Sequence, residues 1–422
     1  MRQRPHLHPH NQPVGLALAL ALCVAACGGG AGGSSTESAT PLTIVVNAPF
    51  TGAPSVADAI ANGVDLAVQA RTQGGVLTAG DHRYRVKVSK LDDELSPLQA
   101  LRNVRTAIDR HALAVVDEGT GADASWSVAN AANLPIGIVY QGGQDLVDPV
   151  KRPNVFRIAP TDRGLAFRLG EYVAPKHHKV AFLVDDTAYG SQGREALDKA
   201  WAFDPRQVVD HIVLPSGQTD LSPQVLRAQR AGADALIVWA RGPAIASVLA
   251  AARSRGWDVP VYTTPAGQDP IVRQQLADHP QWVDGLTFAS GRMTAEEGPA
   301  PFEQFQQSYE SAFGPDLVGV KTKDGSAVTQ PPEFAMYAYD MTQAILAALQ
   351  TAGGADDRAK YVRALGATTV EGANGDARSF NRRNHEGVID DDVAFSRFHD
   401  MTFAPVKDDP LSASLPAITQ TQ

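Results

Sequence analysis

The chain has 422 residues, 44% of them apolar and 20% charged, with a formal charge of −9 and two cysteines. That length allows roughly two to three ordinary domains, and the apolar share suits a chain with real cores rather than a disordered one. The negative balance argues against a nucleic-acid partner, and no apolar run approaches the ~20 residues that cross a bilayer.

Arg2 and Arg4 open the chain, Val14 to Ala26 is apolar, and small residues follow. This pattern predicts a secretory signal peptide over residues 1–26. Its end, Val24-Ala25-Ala26-Cys27, resembles a bacterial lipobox, which implies lipidation of Cys27 and a membrane anchor. Cys23 leaves with the leader, so the mature chain has no second thiol for a disulfide or a thiolate metal site. The leader also removes Arg2 and Arg4, leaving a more acidic mature chain, and takes away the histidines at 6, 8 and 10. Residues 27–41, rich in Gly, Ser and Thr, read as a flexible tether.

From Leu42 onward, short apolar runs alternate with segments of helical period. Strands are predicted at Leu42–Asn47, Tyr84–Leu91, Leu113–Val116 and Pro135–Tyr140, with helices around Val56–Ala67 and Leu98–Ile108 and a Gly74-Gly75 stop between. The pattern restarts after Thr161. Strands are expected at Lys179–Asp185, Val208–Leu214, Ala235–Trp239, Val259–Thr263 and Gly285–Ser290, with helices at Gly190–Ala202, Leu221–Arg230, from Pro243 onward and at Pro270–Ala277. Such alternation means parallel sheets covered on both faces. After Gly291 helices dominate, at Pro301–Phe313, Pro332–Leu349 and Asp356–Leu365, followed by a strand at Asp392–Phe398. Gly314 to Gln330 is polar and is expected to be a long surface loop.

Several short motifs, kept in order between Leu42 and Phe403, resemble those of one family. They are Phe50-Thr51-Gly52, Gly74-Gly75-Val76, Leu91-Asp92-Asp93 with Pro97, Phe156 to Asp162, Asp185 to Gly190 with its Tyr189-Gly190, and Tyr339-Asp340. The chain thereby resembles type I periplasmic binding proteins of the branched-chain amino acid (Leu/Ile/Val) transporter subgroup. The resemblance implies an α/β fold of two doubly wound lobes with parallel-rich sheets, joined by three hinge crossings. Lobe 1 would comprise 42–162 and 291–378, lobe 2 163–290 and 379–408, and 409–422 would be a C-terminal tail. A small ligand would sit between lobes that close over it. The closed form would deliver it to the permease subunits of an ABC importer, as a monomer tied to the membrane by its lipid, without cofactor or metal.

The site residues implied lie on strand-to-helix loops. The family's carboxylate-binding Ser falls at Ala122, with Thr120 or Ser125 as neighbours two or three residues away; a plain helix cap is the other reading. Tyr140-Gln141-Gly142 replaces the family's small residues with an aromatic wall and an amide. Tyr189 keeps the family's cleft-facing Tyr, and Phe334 matches its cleft aromatic. Trp239 and Arg241 follow a second-lobe strand. The guanidinium offers a fork for a carboxylate or else lies in solvent. At Ala266 the acid that holds a ligand ammonium in amino-acid binders is missing, and Asp269 is three residues away. The expected ligand is therefore an amino acid or, better suited to these departures, a small organic or aromatic acid. Mature histidines form neither His-x-x-x-His nor His-Glu-x-x-His, and Gly-x-Ser-x-Gly and P-loop signatures are lacking, so no enzyme chemistry is expected. A ligand-sensing envelope lipoprotein of the same fold stands as the alternative to transport.

Overall fold

The computed structural model describes residues 39–293, 298–314 and 317–415. The leader, Cys27 and the tether up to Ser38 lie outside the described residues; Thr40 and Pro41 already belong to the first strand.

The first sheet forms from β1 (Thr40–Ala48), β2 (Val76–Ala79), β3 (His82–Asp92), β4 (Ala114–Asp117), β5 (Ile136–Ile138) and β6 (Val155–Arg157), in the order β2-β3-β1-β4-β5-β6. All neighbours are parallel except the β2–β3 hairpin. β1 explains the layering. Ile44 and Val46 join one buried cluster with Ile60 and Val64, while Val45 joins another with Val104 and Ile138. Alternate β-branched side chains thus bury on opposite faces, each contributing roughly 1.5–3 kcal/mol. The helices α1 (Pro54–Arg71), α2 (Pro97–Asp109) and α3 (Ala122–Ala131) cover these faces. Ser96 caps α2 through its side chain, with Pro97 in the first turn, a start signal readable in the sequence.

The chain then crosses into α4 (Asp162–Val173), capped by Thr161. A second sheet follows, from β7 (Val180–Asp185), β8 (Val208–Leu214), β9 (Ala235–Trp239), β10 (Val261–Thr263) and β11 (Thr287–Gly291), wrapped by α5 (Ala188–Ala200), α6 (Ser222–Arg230), α7 (Gly242–Arg253) and α8 (Pro270–Gln275). These strands are parallel. The chain returns to the first lobe for α9 (Ala300–Phe313) and, beyond a hairpin, α10 (Glu333–Ala352), whose Ala335 and Met341 bury in the cluster that holds Ile44.

That hairpin corrects the expected long loop. Residues 314–330 carry β12 (Leu317–Lys321) and β13 (Ala327–Thr329), paired antiparallel around Asp324-Gly325. β-Branched residues flank an Asp-Gly turn, a hairpin signal that the polar average conceals. Val328 is fully buried, and Gln330 exchanges two hydrogen bonds with the Phe403 backbone, at 3.0 and 3.1 Å.

After α11 (Arg358–Leu365) and the hairpin β14 (Thr369–Glu371)–β15 (Ala377–Ser379), the third crossing leads to β16 (Val393–His399) and β17 (Thr402–Pro405). These add antiparallel to β11, giving the order β17-β16-β11-β10-β9-β7-β8. Residues 409–415 are no loose tail. Asp409 caps α12 (Pro410–Ser414), and the Ser412 hydroxyl accepts the Phe395 N–H at 2.7 Å. Residues 416–422 lie outside the described part. No helix among the described residues is long and apolar enough to cross a membrane.

Candidate functional site

Strand order reverses at β1, between β3 and β4, and again at β7, between β8 and β9. In doubly wound sheets ligands bind beyond the carboxyl ends of the strands at such points. Glu118 follows β4, Asp185 ends β7 and Arg241 follows β9. One ion pair joins them across the two lobes: Arg241 Nη2 lies 2.9 Å from Glu118 Oε1, with Glu118 fully buried and Arg241 11% exposed.

The first-lobe side is built from Asp117 outward. Its carboxylate accepts Asn47 Nδ2 at 2.7 Å and the Gly119 N–H at 2.7 Å, while Asn103 holds Asn47 at 2.8 Å. Gly119 has φ +124°, and Gln141 fills the space a side chain would take, so only glycine fits. That turn aims Glu118 into the cleft. Thr120 donates its N–H and its hydroxyl to Glu118 Oε2, at 3.0 and 2.7 Å, and Gln141 Nε2 bonds Glu118 Oε2 at 3.2 Å and the Thr120 hydroxyl at 2.8 Å. Two further acids stand nearby. Asp93 is pushed up to about 8 by burial and by the charges of Glu118 and Asp117. Burial raises Asp117 to about 7, against the pull of its Asn47 hydrogen bond.

The second-lobe side centres on Arg241, the N-cap residue of α7, whose N–H donates to Asp185 Oδ2 at 3.2 Å. The other Asp185 oxygen takes the Thr187 N–H and hydroxyl and the Gly190 N–H. The guanidinium carbon lies 5.6 Å from the Tyr140 ring centroid and 5.7 Å from that of Tyr189, within cation–π range. Tyr140 packs edge-on against Phe334 at 5.3 Å and tilted against Tyr189 at 5.9 Å. The Tyr189 hydroxyl shares a hydrogen bond with Thr264 at 2.7 Å. Burial opposes the charge on Arg241, but Glu118, Tyr140 and Asp185 together outweigh it and hold the group protonated.

Thr120, Tyr140, Gln141, Tyr189, Arg241 and Phe334 thus meet in one cluster. The other expected residues do not. Ala122 opens α3 and is buried with Val45, Val104 and Ile138, so its methyl serves the core and Thr120 faces Glu118 instead. Ser125 donates within α3 to the Gly121 carbonyl. Gly142 belongs to the first crossing: its carbonyl accepts the Asp162 N–H at 2.8 Å, and the Asp162 carboxyl occupies its side-chain space. Trp239 is fully buried behind Tyr189, its indole lying over Gly193. Ala266 is buried in a turn that brings Asp269 round to the cleft, where its carboxyl abuts Gly242. Burial raises Asp269 to about 6, partly offset by the Ser55 hydroxyl and the charge of Arg241.

The sequence reading passed over Glu118, Thr264 and Gln268. The usable signal for Glu118 was its place directly after the terminal residue of a buried strand at the point where strand order reverses, which only the topology reveals.

Hydrogen bonding in the cleft is lopsided. The Arg241 Nε and Nη1, the Tyr140 hydroxyl and Gln268 Nε2 are buried without partners. Glu118 and Asp185 are occupied by the donors named above and Asp269 Oδ1 by the Ile271 N–H at 3.1 Å, whereas Asp93 Oδ2 and Glu333 Oε2 are likewise buried without a partner. Buried donors left unmade are costly. Among the described residues no group of three or more His, Cys, Asp and Glu could hold a metal ion.

A family model described as periplasmic binding protein matches residues 41–410. Among solved structures, the chain is similar to a type 1 periplasmic binding protein from Bordetella pertussis Tohama I, with 20% identity, TM-score 0.74, and 87% of this chain and 100% of that one covered. It is similar to the branched-chain amino acid transporter substrate-binding protein LivJ of Streptococcus pneumoniae, solved with isoleucine, at 18% identity and TM-score 0.72 over 86% and 98% of the two chains. It is also similar to an ABC transporter solute-binding protein of R. palustris in complex with benzoate, at 17% identity and TM-score 0.72 over 90% and 98%. No curated protein matches the chain significantly.

Proposed function

The chain belongs to the periplasmic binding protein family, and from that premise we propose that it captures a small organic acid, aromatic in its body, between its two lobes. The carrying observation is the guanidinium of Arg241, buried with one edge on Glu118 and with Nε and Nη1 unpartnered. A ligand carboxylate satisfies that open edge, and Tyr140, Tyr189 and Phe334 provide aromatic faces for a ring. Asp93, raised to about 8, is protonated at neutral pH and adds a donor on the same side. The starts of α3, α5 and α7 follow the same carboxyl strand ends, where helix N-termini favour an anion. The benzoate complex of a fold neighbour is consistent with such a ligand. The isoleucine complex of another is the competing precedent, and it is disfavoured here because Arg241 already sets a cation on the Glu118 carboxylate where an ammonium would need its counter-ion.

The compartment is extracytoplasmic, with Cys27 carrying the lipid that ties the protein to a membrane. The closed form hands its ligand to the permease subunits of an ABC importer as a monomer, with no cofactor and no catalytic step. Isothermal titration decides the ligand class. Benzoate or a hydroxybenzoate should bind with micromolar or tighter affinity, and leucine, isoleucine and valine should give no heat. Micromolar binding of any of these three amino acids, with none of the acids, would sink the proposal. For the anchor, Cys27→Ser should move the protein from the membrane to the soluble fraction; retention on the membrane would exclude lipidation at Cys27.

A further inference from the structure

Glu118 is a buried carboxylate on the first lobe whose strongest partner comes from the second. Its Oε2 is taken by Thr120 and Gln141 of its own lobe, whereas Oε1 has from that lobe only a long contact with Gln141 Nε2, at 3.5 Å. The short partner of Oε1 is the Nη2 of Arg241, at 2.9 Å. An ammonium group delivered by a ligand would seek the same oxygen, since it carries charge-assisted donors and needs a buried counter-ion.

We propose that Arg241 is a built-in cation occupying the acceptor position that Glu118 would otherwise offer to a ligand's ammonium group, so that this one pair sets the cleft's choice of bare carboxylates over amines. The inference rests on the ligand class proposed above and gives it a cause. With Arg241 in place, an incoming amine meets a fixed guanidinium on the Glu118 oxygen it would need. A carboxylate meets the unpartnered Nε and Nη1. Take the guanidinium away, and the charge preference of the site inverts, because Glu118 remains and Asp185 and Asp269 stand nearby. Specificity here works by a repulsive element as much as by an attractive one.

The test uses the full mature chain with two probes of the same shape and opposite charge, benzoate and benzylamine. Wild type should bind benzoate and ignore benzylamine. Arg241→Met, which keeps the stem's bulk, should weaken benzoate roughly 100-fold, as loss of a buried charge-assisted contact does. It should also gain benzylamine binding, seen by calorimetry and as a rise in Tm. Adding Glu118→Gln to that variant should remove the gain. Glu118→Gln alone leaves the buried cation without its counter-charge, and benzoate should then bind several-fold tighter. That measurement stands even if Arg241→Met fails to fold. The inference is overturned if a folded Arg241→Met gains no amine binding, if the double variant keeps it, or if Glu118→Gln weakens benzoate. Failure of the ligand class looks different: wild type itself would bind neither benzoate nor a hydroxybenzoate.

Discussion

Among the described residues, two largely buried arginines pair with a glutamate of a separate segment, and the two pairs are finished differently. At the first crossing, Arg157 donates Nε and Nη2 to the two oxygens of Glu386, at 2.8 and 2.7 Å, and Nη1 to the Gly143 and Gln141 carbonyls at 2.8 and 3.3 Å. Each of its three nitrogens has a partner. In the cleft, Arg241 makes one side-chain bond to Glu118 and leaves two nitrogens buried without partners. Both arginines are largely buried and each faces one glutamate. Saturation separates them, and it separates a structural arginine from one held ready for a ligand.

The largest effect should come from the saturated pair. Arg157→Met leaves Glu386, 22% exposed, without its fork, and strips two buried carbonyls of a donor. Removing one partner of a buried pair costs about 3–5 kcal/mol, so the urea midpoint should fall sharply. Ligand affinity in the protein that stays folded should hardly change. Arg241→Met should show the reverse balance, with a smaller loss of stability and a collapse of carboxylate binding. Equal stability losses in the two variants would erase the distinction between them.

The surroundings of the two glutamates sharpen the contrast. Glu386 meets solvent, whereas Glu118 lies among buried acids. Asp93 has a native pKa of about 8 against an ordinary value of 3.8, so the folded chain keeps a proton that the unfolded chain releases. Stability should therefore be fully present below pH ~4, fall as pH rises toward 8, and level off above. Asp93→Asn keeps the oxygen that accepts the Leu95 N–H at 2.8 Å and removes this titration. Thermal or urea melts of the two proteins should coincide near pH 4 and separate by several kcal/mol, on the order of 5, at pH 8.5, the variant being the more stable. A constant offset across that range would mean that Asp93 does not titrate as described.

Much of this architecture is legible in the sequence. β-Branched runs such as Ile44-Val45-Val46, capping residues such as Ser96-Pro97, and Gly74-Gly75, both at positive φ, are local signals, and they place the strands and helices of both sheets. The hairpin at 317–329 was concealed because average polarity outvoted a short alternating pattern. At the cleft, the aromatic residues and Arg241 could be picked out from their places after strands. Their meaning could not, since saturation is a property of distance. Nothing in Trp239-Ala240-Arg241 says that Trp239 turns back onto Gly193 while Arg241 reaches Glu118, 123 residues earlier. Ala122 goes to the core for a related reason: two positions at the start of α3, from Thr120 to Ala122, separate cleft from core.

The smallest effects come from two tyrosines that repeat the comparison within the cleft itself. The Tyr189 hydroxyl shares a hydrogen bond with that of Thr264 at 2.7 Å, whereas the Tyr140 hydroxyl is buried with no partner. Removing a satisfied buried hydroxyl forfeits a hydrogen bond and orphans its partner, so Tyr189→Phe should lose about 1 kcal/mol of ligand-free stability. Removing an unsatisfied one forfeits nothing in the empty protein and relieves a desolvated dipole. Tyr140→Phe should accordingly melt at the wild-type temperature or slightly above. If the hydroxyl is kept for the ligand, its absence appears only on binding, as roughly a 3- to 10-fold weaker benzoate affinity, the net worth of one hydrogen bond. Unchanged affinity beside unchanged stability would leave the hydroxyl without a role and confine the ligand's polar contacts to the Arg241 edge. A marked loss of stability would mean that the hydroxyl is already bonded in the empty protein, and the distinction between finished and unfinished groups would then fail where it is easiest to measure.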